Sequence, residues 1–318
     1  MKKVEDSIAQ GVLDICVHSV TERQRERLLQ SLRFPAMNER RNHILESYEE
    51  TRGFETLWDD FGDWLKSDSD IYWISGKPGS GKSTLVKFLI GNPETMARLR
   101  IWKPKPVILS HFFWKPGTNM QKNIKGLLSS VLHQALLKEK PAVDSILTRY
   151  RDLTDKESHT DWSVRELKSL CLVVLRNYPS AVCLFIDGLD EICEEDGVPD
   201  LIGIVNDMKA LEGVKVCVAS RPEPRLQTRL GNYQNLRLQD FTRDDMRLYA
   251  SEKLQPSWTP NCGSLEMREH ILEELVRRAE GVFLWLHLAV RSIIEGLENG
   301  DDGDELEQPL PHLLNGSG

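Results

Sequence analysis

Gly76-Lys77-Pro78-Gly79-Ser80-Gly81-Lys82-Ser83, followed by Thr84, sets three glycines, a lysine and a hydroxyl at the spacing GxxxxGK[ST]. Each residue type has a chemical reason. Glycines let the backbone curl until successive N–H groups point inward, a cradle for phosphate oxygens. A helix beginning at Lys82 would add the positive end of its dipole. Lys82 would reach the β- and γ-phosphates, and the Ser83 hydroxyl would ligate Mg²⁺. The expected contacts therefore run through Gly76, Lys77, Pro78, Gly79, Ser80, Gly81, Lys82, Ser83 and Thr84.

A second group of reactive residues lies in Leu184-Phe185-Ile186-Asp187-Gly188-Leu189-Asp190-Glu191. An acid at the end of a buried strand can face the phosphate loop, so Asp187 is the expected Mg²⁺ partner, through water. Asp190 or Glu191 would orient or deprotonate an attacking water, and the residues leave that choice open. Arg221, in Ala219-Ser220-Arg221-Pro222, brings a cation to a strand's carboxyl end, where it could sense a γ-phosphate.

The elements that must position these groups read as follows. Ile71–Ser75 is a short buried strand entering the loop, and Lys82 to Leu89 has a helical composition. Further strands are expected at Val107 to Phe113, Ala181 to Ile186, Val214 to Ala219 and, more weakly, Leu236 to Leu238. Ile124 to Leu137 is helical by spacing, and Ser163 with Glu166 makes a capping box for another helix. Residues 1–66 read as helical, with one helix stopped by Pro35 and another from Arg41 to Leu65 carrying Tyr48, Phe54, Trp58, Phe61 and Trp64. After Asp240 a helix capped by Thr242 and Asp245, then Ile271 to Ala279 and Val282 to Leu297, form a wholly helical part. Its expected apolar face is Leu248, Ile271, Leu275, Phe283, Leu286 and Val290.

Apolar strands alternating with helices mean a parallel sheet covered on both faces. A whole strand–helix unit, 107–139, separates the loop strand from the acidic strand, a spacing typical of the ATPase branch of P-loop folds. The fold class is therefore α/β: a three-layer P-loop NTPase with strand order 5-1-4-3-2, a helical N-terminal segment and a C-terminal helical subdomain. The divisions are 1–66, 67–240, 241–299 and an acidic tail, 300–318, read as disordered.

Bulk composition narrows the classes. Charged residues make up 28% and the net charge is −8, which disfavours a nucleic-acid surface because phosphate affinity needs clustered Lys and Arg. Six cysteines without CxxC spacing read as reduced core thiols. No signal peptide opens the chain, and its most apolar stretch, Gly281 to Ile294, is too short to span a bilayer. These features point to a cytoplasmic protein without a membrane partner.

With those residues in hand, the chain resembles the NACHT family of STAND signalling NTPases, in particular the NACHT regions of fungal NOD-like receptors. The resemblance rests on Ile71 to Thr84, Asp187-Gly188-Leu189-Asp190-Glu191, Ala219-Ser220-Arg221-Pro222, Ala279 to Trp285 and the upstream stretch Ser31 to Arg41. It implies a switch between a closed diphosphate form and an open triphosphate form that oligomerises, with Mg²⁺ and ATP or GTP as cofactors. It also implies that the helices after Asp240 close over the nucleotide. ATP is placed ahead of GTP, since the guanine-reading NKxD is absent. No effector domain is recognisable before the loop and no repeat array after the helices, so an isolated module or a truncated receptor is expected. Two alternatives stand beside a slowly hydrolysing switch: a nucleotide-holding scaffold without useful turnover, and a kinase for a small molecule.

Overall fold

The computed structural model describes residues 20–44, 57–258, 264–281 and 283–299. Five strands, β1 (Ile71–Ser75), β2 (Val107–Phe112), β3 (Val182–Asp187), β4 (Val214–Ser220) and β5 (Gln234–Arg237), form one sheet in the order β2-β3-β4-β1-β5. All four pairings are parallel, with Ser75 beside Ser220 and Asp187 between Phe112 and Ala219. This is the expected order 5-1-4-3-2 read from the other edge.

The period-two alternation of strand side chains sorts the sheet into two cores. Trp73, Leu109, Leu184, Ile186, Val216 and Val218 face one helical layer. It comprises α1 (Glu22–Leu32), α6 (Ile124–Lys138), α7 (Lys140–Arg149), α8 (Val164–Arg176), α9 (Gly197–Lys209) and α10 (Pro224–Leu230). Tyr72, Ile74, Phe112, Phe185, Cys217 and Ala219 face the other, made by α3 (Leu57–Lys66), α4 (Lys82–Gly91) and α5 (Pro93–Trp102). The short helix α2 (Glu39–His43) lies between α1 and α3 in the chain. Both layers are apolar, so every residue of β1, β3 and β4 is buried.

β2 lies at the edge of the sheet, where backbone groups lack a strand partner. α6 supplies the partners: Gln134 bonds both the N–H and the C=O of Ser110 (3.0 and 2.7 Å), and Lys138 Nζ donates to Ile108 O at 2.7 Å. At the amino end of β4, Lys215 is 1% exposed and donates to the carbonyls of Trp64 (2.6 Å), Leu65 (3.2 Å) and Ser67 (2.8 Å). Those carbonyls lie at and just beyond the carboxyl end of α3, where a cation suits the helix dipole. The ammonium lies 4.6 Å from the Trp64 ring and 4.3 Å from the Trp102 ring.

The last three helices, α11 (Leu238–Leu254), α12 (Leu265–Ala279) and α13 (Phe283–Asn299), share a third core around Tyr249, Leu254, Leu275, Leu286 and Val290.

Several expectations are corrected. α11 starts at Leu238, so Thr242 and Asp245 lie inside it rather than capping it. β5 runs straight into this helix without a loop, which hides the boundary from turn chemistry. Leu248 is only half-buried; Met246 and Tyr249 take the inward positions. α1 stops at Leu32, ahead of Pro35. Within 41–65 the described helical residues are those of α2 and α3, and Phe61 and Trp64 are core residues. Tyr48, Phe54 and the tail 300–318 lie outside the described residues. Cys171, Cys183, Cys193 and Cys217 are free thiols, the first, second and fourth buried. No described helix is long and apolar enough to cross a membrane.

Candidate functional site

The loop between β1 and α4 is held at its base by Gly76 N–H donating to Ser220 O at 3.3 Å, which ties it to the end of β4. A Cβ at Gly76 would lie 2.5 Å from Ser80 Oγ and 3.1 Å from Leu238 Cβ, so a larger residue would have to displace the buried Ser80 hydroxyl. Gly79 and Gly81 take φ of 70° and 90°, left-handed backbone that other residues resist. Gly81 is the N-cap of α4, with no side-chain cap and no acid in the first turn. The N–H groups opening α4 therefore carry the dipole's positive field uncompensated by the helix itself. Ser80 is buried and its Oγ has no partner among the described residues.

Lys82 Nζ donates to Gly76 O and Lys77 O, each at 2.8 Å. Burial lowers its pKa, while Asp190 and Asp187 nearby work the other way. Asp187 ends β3 and is 2% exposed. Burial pushes its pKa up to about 6, against a hydrogen bond from Ser83 and the positive charges of Arg40 and Lys82. Gly188 follows at φ 77°, and a Cβ there would lie only 3.2 Å from Phe113 O. The turn that aims Asp187 at the loop thus requires glycine at 188.

The two further acids differ in their ties. Asp190 accepts from Arg221 N at 2.9 Å and pairs with Arg221 Nε at 3.1 Å, its side chain 4% exposed against 47% for Arg221. Glu191 accepts from Lys115 N at 2.9 Å, in the loop after β2. A cavity of about 330 Å³ is lined by Pro78 to Thr84, Asp187, Gly188, Asp190, Glu191 and Arg221. All the expected site residues from Pro78 onward therefore meet at one place, with Gly76 and Lys77 reaching it through their carbonyls on Lys82. A larger cavity of about 520 Å³ lies on the far side of Asp190, between Lys122, Asp196 and Arg225.

Three residues that sequence reasoning did not assign complete the lining: Arg40, His43 and Ile44. No periodicity or catalytic spacing marks them; only Arg40 falls in the stretch Ser31 to Arg41 whose resemblance could have drawn attention to it. Among the described residues, none of α11–α13 lines this cavity.

The donor set suits a magnesium nucleotide. One carboxylate and one hydroxyl, Asp187 and Ser83, are hard oxygen donors of the kind Mg²⁺ takes alongside phosphates and waters. The unpartnered Ser80 Oγ and the open α4 terminus are donors that a phosphate would satisfy.

No curated protein matches the chain in sequence. Among solved structures it is similar to ORC2 of Aeropyrum pernix in ADPNP and ADP complexes: TM-score 0.51, 15% identity, over 87% of this chain and 71% of that one. It is also similar to a chain of the Drosophila ORC bound to DNA (TM-score 0.49, 15% identity, 92% of this chain and 65% of that one). PCH-2 of C. elegans follows (0.47, 12%, 88% and 72%). At 15% identity the likeness to ORC2 is one of fold, and it agrees with the P-loop NTPase architecture. The family profile that matches is Nephrocystin 3, N-terminal, over residues 51–221. That span contains β1, the loop, β3, Asp190, Glu191 and Arg221 and is more than half of the chain: the protein belongs to the nephrocystin-3 N-terminal family.

Proposed function

We propose that this protein is a Mg²⁺-dependent nucleoside-triphosphate switch of the NACHT type, cytoplasmic, with ATP ahead of GTP as ligand and slow hydrolysis. The observation that carries the reading is the convergence of Lys82, Ser83, Asp187 and an unpartnered Ser80 hydroxyl on one cavity at the carboxyl end of a parallel sheet. Backbone N–H groups from Gly79 to Thr84 would hold the phosphates. Lys82 would exchange its two loop carbonyls for phosphate oxygens, a swap of partners rather than a new desolvation. Mg²⁺, held by Ser83 and Asp187, would neutralise charge between the β- and γ-phosphates.

Between the two acids, Glu191 is the better candidate to orient the attacking water. Asp190 is occupied by the amide and guanidinium of Arg221, so its role is to position that arginine. Arg221, half-exposed, would lean towards the γ-phosphate while Asp190 holds its backbone. The division between 67–240 and 241–299 belongs to the proposal, supported by the separate core that the last three helices share. Homo-oligomerisation on activation, and recruitment of an effector, belong to it as well.

One observation favours a second reading, a scaffold that holds nucleotide without turnover: Glu191 already has an oxygen tied to Lys115 N–H. Single-turnover hydrolysis of ATP and GTP with and without Mg²⁺ decides between them. The expected result is slow Mg²⁺-dependent hydrolysis, reduced about 100-fold in Glu191→Gln with nucleotide affinity kept. Bound nucleotide with no Mg²⁺-dependent hydrolysis in wild type would leave the scaffold, whereas equal measurable rates in wild type and variant would remove Glu191 from the chemistry.

A further inference from the structure

The segment from Phe34 to Ile44 lies upstream of the family-matched region, yet it forms one wall of the phosphate cavity. Phe34 and Ile44 are buried at its two ends, at 5% and 6% exposure. Gln121 Nε2 donates to Ala36 O at 3.1 Å, and Ala36 itself takes a left-handed φ of 62°. Lys87 Nζ, on α4, donates to Ile44 O at 2.7 Å, and the His43 ring meets the Trp114 ring edge-on at 6.0 Å. The segment is therefore a strap fixed to α4 and to the loop after β2, the two elements flanking the phosphate loop and Glu191.

Arg40 sits in the middle of this strap. Its Nε is buried without a partner, and its Nη2 reaches Ser83 Oγ only at 3.5 Å. Among the described residues it forms no ion pair with a carboxylate, although its charge acts on Asp187. A guanidinium presents five donors in a rigid fork suited to phosphate, and a buried donor left unpaired is unfavourable. Arg40 also lines the adjoining cavity of about 340 Å³, with Trp114, Glu191 and Arg221. It thus stands beside Ser83, where the terminal phosphate of a bound triphosphate would lie, in cavities that Arg221 also lines.

We infer that Arg40 is a phosphate ligand supplied in cis by the strap, specific for the terminal phosphate, so that triphosphate binding pins residues 34–44 over the site. The inference rests on the proposed nucleotide binding and extends the site beyond the family-matched residues. The test titrates the full chain with fluorescent ATP and ADP analogues in Mg²⁺, for wild type, Arg40→Gln, Arg40→Lys and Lys82→Ala. Arg40→Gln should weaken the triphosphate about tenfold or more and the diphosphate less than about threefold, the range of a lost charged hydrogen bond. Arg40→Lys should fall between, since it keeps the charge and loses the fork. Hydrogen exchange in wild-type residues 34–44 should slow with ATP more than with ADP, which reads the strap without any substitution. Equal losses for both nucleotides, no loss, or exchange that does not distinguish them would overturn the role of Arg40. Wild type that binds neither nucleotide, or Lys82→Ala that binds like wild type, would instead overturn the nucleotide reading itself.

Discussion

Two lysines at opposite ends of the same sheet solve similar problems to different ends. Lys215, at the amino end of β4, is held by three carbonyls of the α3 terminus and closed in by Trp64 and Trp102. Burial still pulls its pKa down to about 8. Lys82, after the carboxyl end of β1, is held by two carbonyls of its own loop and opens onto the cavity. A cation whose partners belong to a distant helix and whose other sides are aromatic can only be structural. A cation parked on nearby carbonyls beside a cavity can change partners. The difference teaches that burial and hydrogen bonding alone do not mark a functional lysine; what lies on its remaining side does.

Breaking the comparison at its structural end should have the largest effect. Lys215→Met leaves the carbonyls of Leu65 and Ser67 without their described donor, which should cost about 3 kcal/mol. For a chain of this size that lowers the melting temperature by roughly 6–12 °C. Nucleotide affinity per folded molecule should not move. A variant melting with wild type would show that Lys215 does not hold α3 to the sheet.

Lys82→Ala probes the other end. Mg²⁺ and ATP at 100 times Kd should stabilise wild type by about 2.7 kcal/mol, and the variant should lose that increment while melting normally without ligand. An equal ligand-induced shift in both proteins would remove Lys82 from the phosphate site.

The smallest effect sharpens the comparison through an acid. Asp187 has its pKa raised to about 6, so the folded state binds a proton that the unfolded state releases at a lower pH. Its contribution to stability is present below the unfolded value near 4 and lost as pH rises through about 6. Asp187→Asn should therefore stabilise the ligand-free protein above pH 6 by roughly 1–2 kcal/mol and flatten its melting profile between pH 4 and 7. The same change should remove the Mg²⁺ dependence of binding. Melting curves against pH, with and without Mg²⁺ and ATP, read both effects; a less stable variant at pH 7 would contradict the burial of a charged Asp187.

Much of the site was legible because its chemistry is local. Gly79, Gly81 and Gly188 each take a left-handed φ that a local turn imposes, and an acid at the end of an apolar run needs no distant information. The choice between Asp190 and Glu191 was not legible, since it depends on Arg221 and Lys115, which arrive from other strands. α5, α7, α9 and α10 carried no expectation, and Thr242 looked like a cap because β5 passes into α11 without turn residues.

The amino-acid order by itself determined the strand run, the glycine-rich loop after β1, the acid that ends β3 and the parallel order of the sheet. Each follows from a period, a turn requirement or a connection length that a few consecutive residues encode. Only the tertiary structure decided that Arg40, about forty residues before the loop's Ser83, shares its cavity, and that Lys215 is a plug while Lys82 faces outward. Those outcomes depend on which chain segments pack side by side, and for a single charged residue the lowest-energy partner is chosen in space, by desolvation and available carbonyls, rather than along the chain.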